Sequence, residues 1–242
     1  MNSPKKILFE AMQLVGFENW RPAVDVPGLN RPQTRPDEMD GDGRVAAVML
    51  LLYSRNISAE PKDPAEDLKI VFTKRHPQLT NHAGQISFPG GQQDKGESLW
   101  QTAIRETFEE IGVDSGNKEL AIETKVTSAG QLEASMMKAQ IQMLGSLNSV
   151  YIPPSDFTVN PFVAWYTGQP KFIRSEHEVD EIIEASVSDL LNPSILKYGN
   201  IRSASGMNIN VPFYEVGPHR IWGATALILG ELIERIRRVQ PI

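Results

Sequence analysis

Apolar positions along the 242-residue chain fall into two kinds of pattern. Residues 45–53 (VAAVMLLLY) are continuously apolar, as a strand covered on both faces would be, and residues 70–73 repeat the pattern in shorter form. Leu8, Met12 and Val15 stand at helical spacing and predict a helix over 4–17. Pro22, Pro27, Pro32 and Pro36 then predict an extended arm. A short strand at 86–88, a Pro-Gly-Gly turn and a charged loop precede a helix over about 98–111.

Beyond it, residues 120–126 read as a strand, and 131–143 carry Ala, Met, Leu and Gln in helical proportions. Further strands are expected at 159–166, 181–187 and 209–214, with a short helix opening over 187–191. The segment 222–239 sets Ala226, Leu229, Leu232, Ile233 and Ile236 on one face and Glu231, Glu234, Arg235, Arg237 and Arg238 largely elsewhere. It predicts an amphipathic helix that closes a core. Mixed strands and helices without an internal repeat make an α+β domain, organised as an N-terminal helix and Pro-rich arm (1–43) before one large domain (44–242).

Composition narrows the function. Lys and Arg number 24 against 30 Asp and Glu, a net charge of −6, which argues against unspecific nucleic-acid binding. A polyanionic small-molecule substrate would then need local cations or metal ions. With no Cys, disulfides, thiolate nucleophiles and Cys-ligated zinc are excluded. Lys5 and Lys6 before Ile7-Leu8-Phe9 give way to Glu10 and Gln13 with no small-residue cleavage site, so a helix fits better than a signal peptide. No apolar run approaches the ~20 residues of a membrane helix, so a soluble, cytoplasmic enzyme without membrane or nucleic-acid partners is expected. Phe17 and Trp20 are candidate anchors for a homodimer, or equally for packing onto their own domain.

The chemistry lies in residues 105–112 (RETFEEIG). On a helix, Glu106, Glu109 and Glu110 gather on the side opposite Ile104, Phe108 and Ile111. Carboxylates at i, i+3 and i+4 repel each other by a few tenths of a kcal/mol per pair, so a cation should compensate them. An all-oxygen set suits Mg²⁺ or Mn²⁺. Arg105 can neutralise and orient Glu109 at i+4. Gly90 and Gly91 let backbone approach metal or phosphate with no Cβ in the way.

Gly91, Glu97, Arg105-Glu106, Glu109-Glu110 and Gly112, in their spacing, resemble the Nudix box. Seven matches at fixed positions arise by chance about once in 10⁸ starting points; Thr107 alone replaces the usual aliphatic residue. The resemblance implies the Nudix fold, a mixed β-sheet sandwiched by helices with the box as a loop-helix-loop. It further implies hydrolysis of a nucleoside diphosphate linked to another moiety. Glu106 and Glu110 would be the principal metal ligands, with Glu109 and the Gly91 carbonyl assisting. Glu178, in an acidic run, is a candidate general base or extra ligand, and His82 an alternative acid or base.

Residues 73–91 are similar to the extra motif of the coenzyme A pyrophosphatase branch, matching at Thr73, Arg75, Gly84 and 88–91. Residues 159–163 and 221–226 are also similar, so the likeness spans about 44–238 and leaves out the arm and an insertion near 114–140. It implies Arg75, Gly84, Phe88 and Gly90 as substrate-binding residues, and cleavage of coenzyme A or acyl-CoA to 3′,5′-ADP and (acyl-)4′-phosphopantetheine. His76 and Thr80 depart from the branch, where Ser or Ala and Arg are preferred. These departures keep nucleotide sugars, ADP-ribose, dinucleotides and nucleoside triphosphates as alternative substrates; a non-catalytic nucleotide-binding module is the remaining reading.

Overall fold

The computed structural model describes residues 3–17, 20, 43–55, 65, 67–79, 82–113, 140–202, 206 and 208–240. The Pro-rich arm, the strand expected at 120–126, most of the 114–140 insertion and Thr80 lie outside them.

In chain order the elements are α1 (Pro4–Met12), β1 (Arg44–Ser54), β2 (Leu68–Arg75), β3 (Ile86–Ser87), β4 (Gly90–Gln92), α2 (Leu99–Ile111), β5 (Ile141–Ser146) and β6 (Val150–Ile152). They continue with β7 (Phe157–Tyr166), β8 (Val179–Ser186), α3 (Val187–Leu191), β9 (Leu196–Arg202), β10 (Asn208–Val216), β11 (His219–Trp222) and α4 (Gly223–Val239).

The apolar run of β1 is the centre of a mixed sheet. It pairs in parallel with β7 along nine residues from Arg44 to Leu52, and antiparallel with β2 at one end and β4 at the other. The remaining main-sheet strands extend from these, β8 and β3 on β2 and β5 and β6 on β7. Both faces of β1 are covered, which is why its sequence does not alternate. Met49, Leu51 and Tyr53 face the core beneath α2 with Ala103, Ile104 and Ile111. Leu50 and Leu52 face the opposite core, filled by α4 through Leu229, Leu232, Ile233 and Ile236. Strands β9, β10 and β11 form a second, antiparallel sheet.

Helix α1 ends at Met12, earlier than its periodicity suggests, with Gln13 as its C-cap, and the chain then turns through Gly16 at φ 83°. Ile7, Leu8 and Ala11 pack into the same core as α4. Phe17 is buried beneath the guanidinium groups of Arg235 and Arg238, at 4.2 and 4.5 Å from its ring centroid. Of the two roles open to Phe17 and Trp20, packing on their own domain is the one seen here, and Trp20 also packs on that core.

Helix α4 departs from the expected wheel. Glu231 and Arg235 are buried, joined to each other at 2.9 Å. Arg235 also donates to the Leu14 carbonyl at 3.3 Å, and Glu231 accepts the Asn148 N–H at 3.1 Å. A buried pair of this kind persists because its remaining hydrogen-bonding capacity is satisfied.

The helix expected over 131–143 is contradicted at its end: Ile141–Ser146 is strand β5, paired with β7. Pairing with a buried neighbour outweighs helix propensity there. Similarly, the Pro-Gly-Gly turn continues as β4, hydrogen-bonded to Ala46–Val48 of β1.

Candidate active site

Helix α2 begins with a reciprocal cap. Ser98 accepts from the Gln101 N–H at 3.3 Å, and the Gln101 side chain accepts from the Ser98 N–H at 2.8 Å. It ends at Gly112, whose φ of 70° suits glycine and whose N–H donates to the Phe108 carbonyl at 2.8 Å. A Cβ at Gly112 would lie 2.7 Å from the Ile173 Cβ, so the loop before β8 closes directly on the helix end. That loop also satisfies the last helical carbonyls: Ile173 N–H donates to Ile111 and Ser175 N–H to Glu110, at 2.8 and 2.9 Å.

The face of α2 that meets the sheet differs from the expected one. Phe108 is 55% exposed, whereas Thr107 and Glu110 are buried. Thr107, standing where the box usually has an aliphatic residue, satisfies its hydroxyl by donating to the Ala103 carbonyl at 2.7 Å. Glu110 thus points under the helix, between β2 and the Gly90-Gly91 segment.

The glycines of β4 fit this arrangement for different reasons. A Cβ on Gly90 would overlap the Ala47 carbonyl oxygen and Val48 Cα of β1, so glycine alone permits the strand to pair so closely. Its N–H donates to Glu110 Oε2 at 3.3 Å. A Cβ on Gly91 would overlap the Glu106 carboxylate. Gly91 therefore leaves the space that the Glu106 carboxylate fills, while Gly90 brings its N–H onto Glu110.

Arg105 braces the box. It reaches Glu97 at 2.7 Å and 3.1 Å, Glu106 at 2.8 Å, Glu109 at 2.9 Å and the Gln92 carbonyl at 3.1 Å. This guanidinium holds Glu97 below the usual carboxylate range, helped by the Thr102 hydroxyl and the Asp94 N–H. Arg105 is raised in turn by its carboxylate partners. Glu106 is pushed up chiefly by burial, with Glu109 and Glu178 adding to the shift and Arg105 opposing it. Burial pushes Glu110 to about 8, and the charges of Glu106 and Glu178 add to this while Arg75 and the Gly90 N–H oppose it.

Strand alternation at the end of β2 separates two cations. Lys74 pairs with Asp180 at 2.5 Å, while Arg75 turns inward, its Nη1 3.7 Å from Glu110 Oε1. The Thr73 hydroxyl donates to Glu110 Oε2 at 3.4 Å. Glu178 is exposed at the start of β8, its carbonyl accepting the His76 N–H at 2.8 Å, and its charge acts on both Glu106 and Glu110. Gly84 is exposed at φ 68° and donates to the Arg75 carbonyl at 3.1 Å. His82 is exposed and hydrogen-bonded to Gln85 at 2.9 Å.

Phe88 corrects an expectation. Its ring is buried and stacked on Phe72 with centroids 4.8 Å apart, so its side chain belongs to the core and not to a ligand surface. Ser175 and Ile173, which dock the Glu178 loop on α2, carried no signal in the sequence, because loop-to-helix backbone bonds do not depend on residue type. Thr73 was legible only as part of the motif.

Whether these groups suit a hard divalent ion is tested by the donor chemistry. Every donor gathered here is oxygen, burial raises the pKa of both Glu106 and Glu110 with their carboxylate neighbours adding to it, and Gly91 provides the room. The set fits Mg²⁺ or Mn²⁺. Among the described residues, no three His, Cys, Asp or Glu side chains already form a metal cage. Instead each inner carboxylate faces an arginine, Glu106 with Arg105 and Glu110 with Arg75.

Residues 55–198, which contain all of this box, match the NUDIX domain family. The chain belongs to the Nudix family of hydrolases. Its relatives include the Nudix hydrolase NudL of Photorhabdus laumondii, 30% identical over 203 residues, 84% of this chain and 90% of that one. The mitochondrial coenzyme A diphosphatase NUDT8 of Homo sapiens is 29% identical over 80% of this chain and 78% of its own length. The peroxisomal coenzyme A diphosphatase ndx-8 of Caenorhabditis elegans is 30% identical over 60% of this chain and half of its own. The chain is a Nudix pyrophosphohydrolase with mixed α+β architecture. Among the described residues no helix is long and apolar enough to cross a membrane.

Proposed function

We propose that this Nudix enzyme cleaves the pyrophosphate of coenzyme A or acyl-CoA, releasing 3′,5′-ADP and 4′-phosphopantetheine or its acyl form. The observation that carries the reading is the placement of Arg75. The segment resembling the coenzyme A branch ends β2 with this cation turned toward Glu110, and Arg75 closes the following loop through Gln85 and Gly84. Two relatives named as coenzyme A diphosphatases support it.

Glu106 and Glu110 would hold the divalent ion, with Glu109 and the Gly91 carbonyl as further oxygen donors. When bound, Mg²⁺ or Mn²⁺ lowers the pKa of water and offsets charge on phosphoryl oxygens. The residues supply the rest. Arg75 contacts a phosphate of the substrate, while the Gly90 and Gly84 backbones allow close approach. Glu178, exposed beside the inner carboxylates, accepts the proton of the attacking water. Arg105 contributes by orienting Glu106 and Glu109, and stands outside the reacting atoms.

His76 gives weight to a second reading, an ADP-ribose or nucleotide-sugar pyrophosphatase. Its Nδ1 accepts the Gln78 N–H at 3.3 Å, so this departure from the branch shapes the loop beside Arg75. The compartment is expected to be cytoplasmic; the relatives named above include a mitochondrial and a peroxisomal protein. The test is a comparison of kcat/KM for coenzyme A, acetyl-CoA, ADP-ribose and a nucleotide sugar with Mg²⁺ or Mn²⁺. A preference for coenzyme A of about tenfold or more, ~1.4 kcal/mol, supports the proposal. Preference for another substrate would transfer the same chemistry to the second reading.

A further inference from the structure

The two arginines that face the box carboxylates are held very differently. Arg105 is fixed by four acceptors at 2.7–3.1 Å, namely Glu97, Glu106, Glu109 and the Gln92 carbonyl. Arg75 reaches Glu110 only at 3.7 Å, beyond hydrogen-bond range, and its buried Nε finds no partner among the described residues. Its backbone, by contrast, is locked: its N–H donates to Gln85 at 2.9 Å and its carbonyl accepts from Gly84 at 3.1 Å. The strand end is therefore rigid and the guanidinium is the part left with unspent donors.

We propose that the Arg75 guanidinium is a resident counter-ion of the ligand carboxylates, occupying their field in the metal-free protein and leaving Glu110 for the pyrophosphate when substrate arrives. The inference rests on the reading of Glu106 and Glu110 as metal ligands. A unit charge on the half-buried Arg75 lies 3.7 Å from the buried Glu110 carboxylate. It opposes a divalent ion twice as strongly as it opposes a proton at the same place, so removing it favours metal over proton as well as over water. Substrate phosphate, a better-matched bidentate partner for a guanidinium than a carboxylate at 3.7 Å, draws Arg75 away and opens Glu110 to the ion. Metal and substrate then bind with positive coupling, each strengthening the other.

The test is the dissociation constant of MnCl₂ alone, read from the electron paramagnetic resonance of free Mn²⁺, for the full chain and for Arg75→Gln, Arg75→Lys and Glu110→Gln. Arg75→Gln should bind Mn²⁺ about fivefold or more tightly than the parent, while its turnover falls. Arg75→Lys, which keeps the charge, should stay within about twofold of the parent and exclude a merely structural effect. Equal or weaker binding by Arg75→Gln overturns the proposal, as does equal tightening in Arg75→Lys. Binding by Glu110→Gln indistinguishable from the parent, or no binding by any of the proteins, overturns the ligand reading together with the proposal.

Discussion

Arg105 Nε lies 2.7 Å from Glu97 Oε1, and this contact ties the loop after β4 to the second turn of α2. Because the same guanidinium orients Glu106 and Glu109, one planar cation sets the geometry of two carboxylates and the loop. Lysine cannot reproduce that fork. Arg105→Lys is expected to lower kcat about tenfold or more, with a thermal destabilisation of roughly 1–3 kcal/mol from loss of charge-assisted hydrogen bonds. Steady-state kinetics and thermal melts check both, and parental turnover in Arg105→Lys would contradict a bracing role.

Glu110 predicts the pH dependence of stability. Its folded-state value near 8 lies above its ordinary 4.5, so the metal-free fold prefers Glu110 protonated. That stabilisation is fully present below about 4.5 and is lost progressively as pH rises toward 8, by on the order of a few kcal/mol. In chelator, melts between pH 5 and 8.5 should show the parent falling relative to Glu110→Gln. Saturating Mn²⁺ should restore the parent at the alkaline end. Parallel curves would contradict the buried placement of Glu110.

The Glu231–Arg235 pair predicts a different kind of loss. It joins α4 to the end of α1 through the Leu14 carbonyl and the Phe17 ring. Glu231→Gln leaves Arg235 buried without its charge partner and should destabilise by about 3–5 kcal/mol. Replacing both residues by apolar ones of similar volume should cost much less. Urea unfolding of the single and double variants measures the difference.

At Gly112 the left-handed backbone and the contact with Ile173 act together. Gly112→Ala should reduce stability by about 1–2 kcal/mol, and should lower kcat more than it raises KM because the Glu178 loop loses its seat on α2. A change in KM alone would contradict that link.

Much of this site was legible because its logic is local. The spacing of Glu106, Glu109 and Glu110 gathers carboxylates on any helix, and the glycines at 90, 91 and 112 mark places where a Cβ does not fit. The double-faced β1 was also readable, since a strand covered on both sides has no polar alternation. What the pattern missed depends on neighbours distant in sequence. Glu110 turns inward because Arg75, Thr73 and the Gly90 N–H wait there, and Phe108 is left outside. Likewise, Phe88 found Phe72, and the residues of β5 found β7, through contacts that periodicity does not encode.

The proposed chemistry is hydrolysis of a pyrophosphate bond with a divalent ion held by Glu106 and Glu110. The direct measurement is chromatography of products from coenzyme A incubated with the parent protein and Glu110→Gln, each with Mg²⁺ or Mn²⁺ and with chelator. The expected result is 3′,5′-ADP from the parent only with metal, and a loss of at least about 10²-fold, ~2.7 kcal/mol, in Glu110→Gln. Equal turnover by the two proteins, or product formation that persists in chelator, would contradict it.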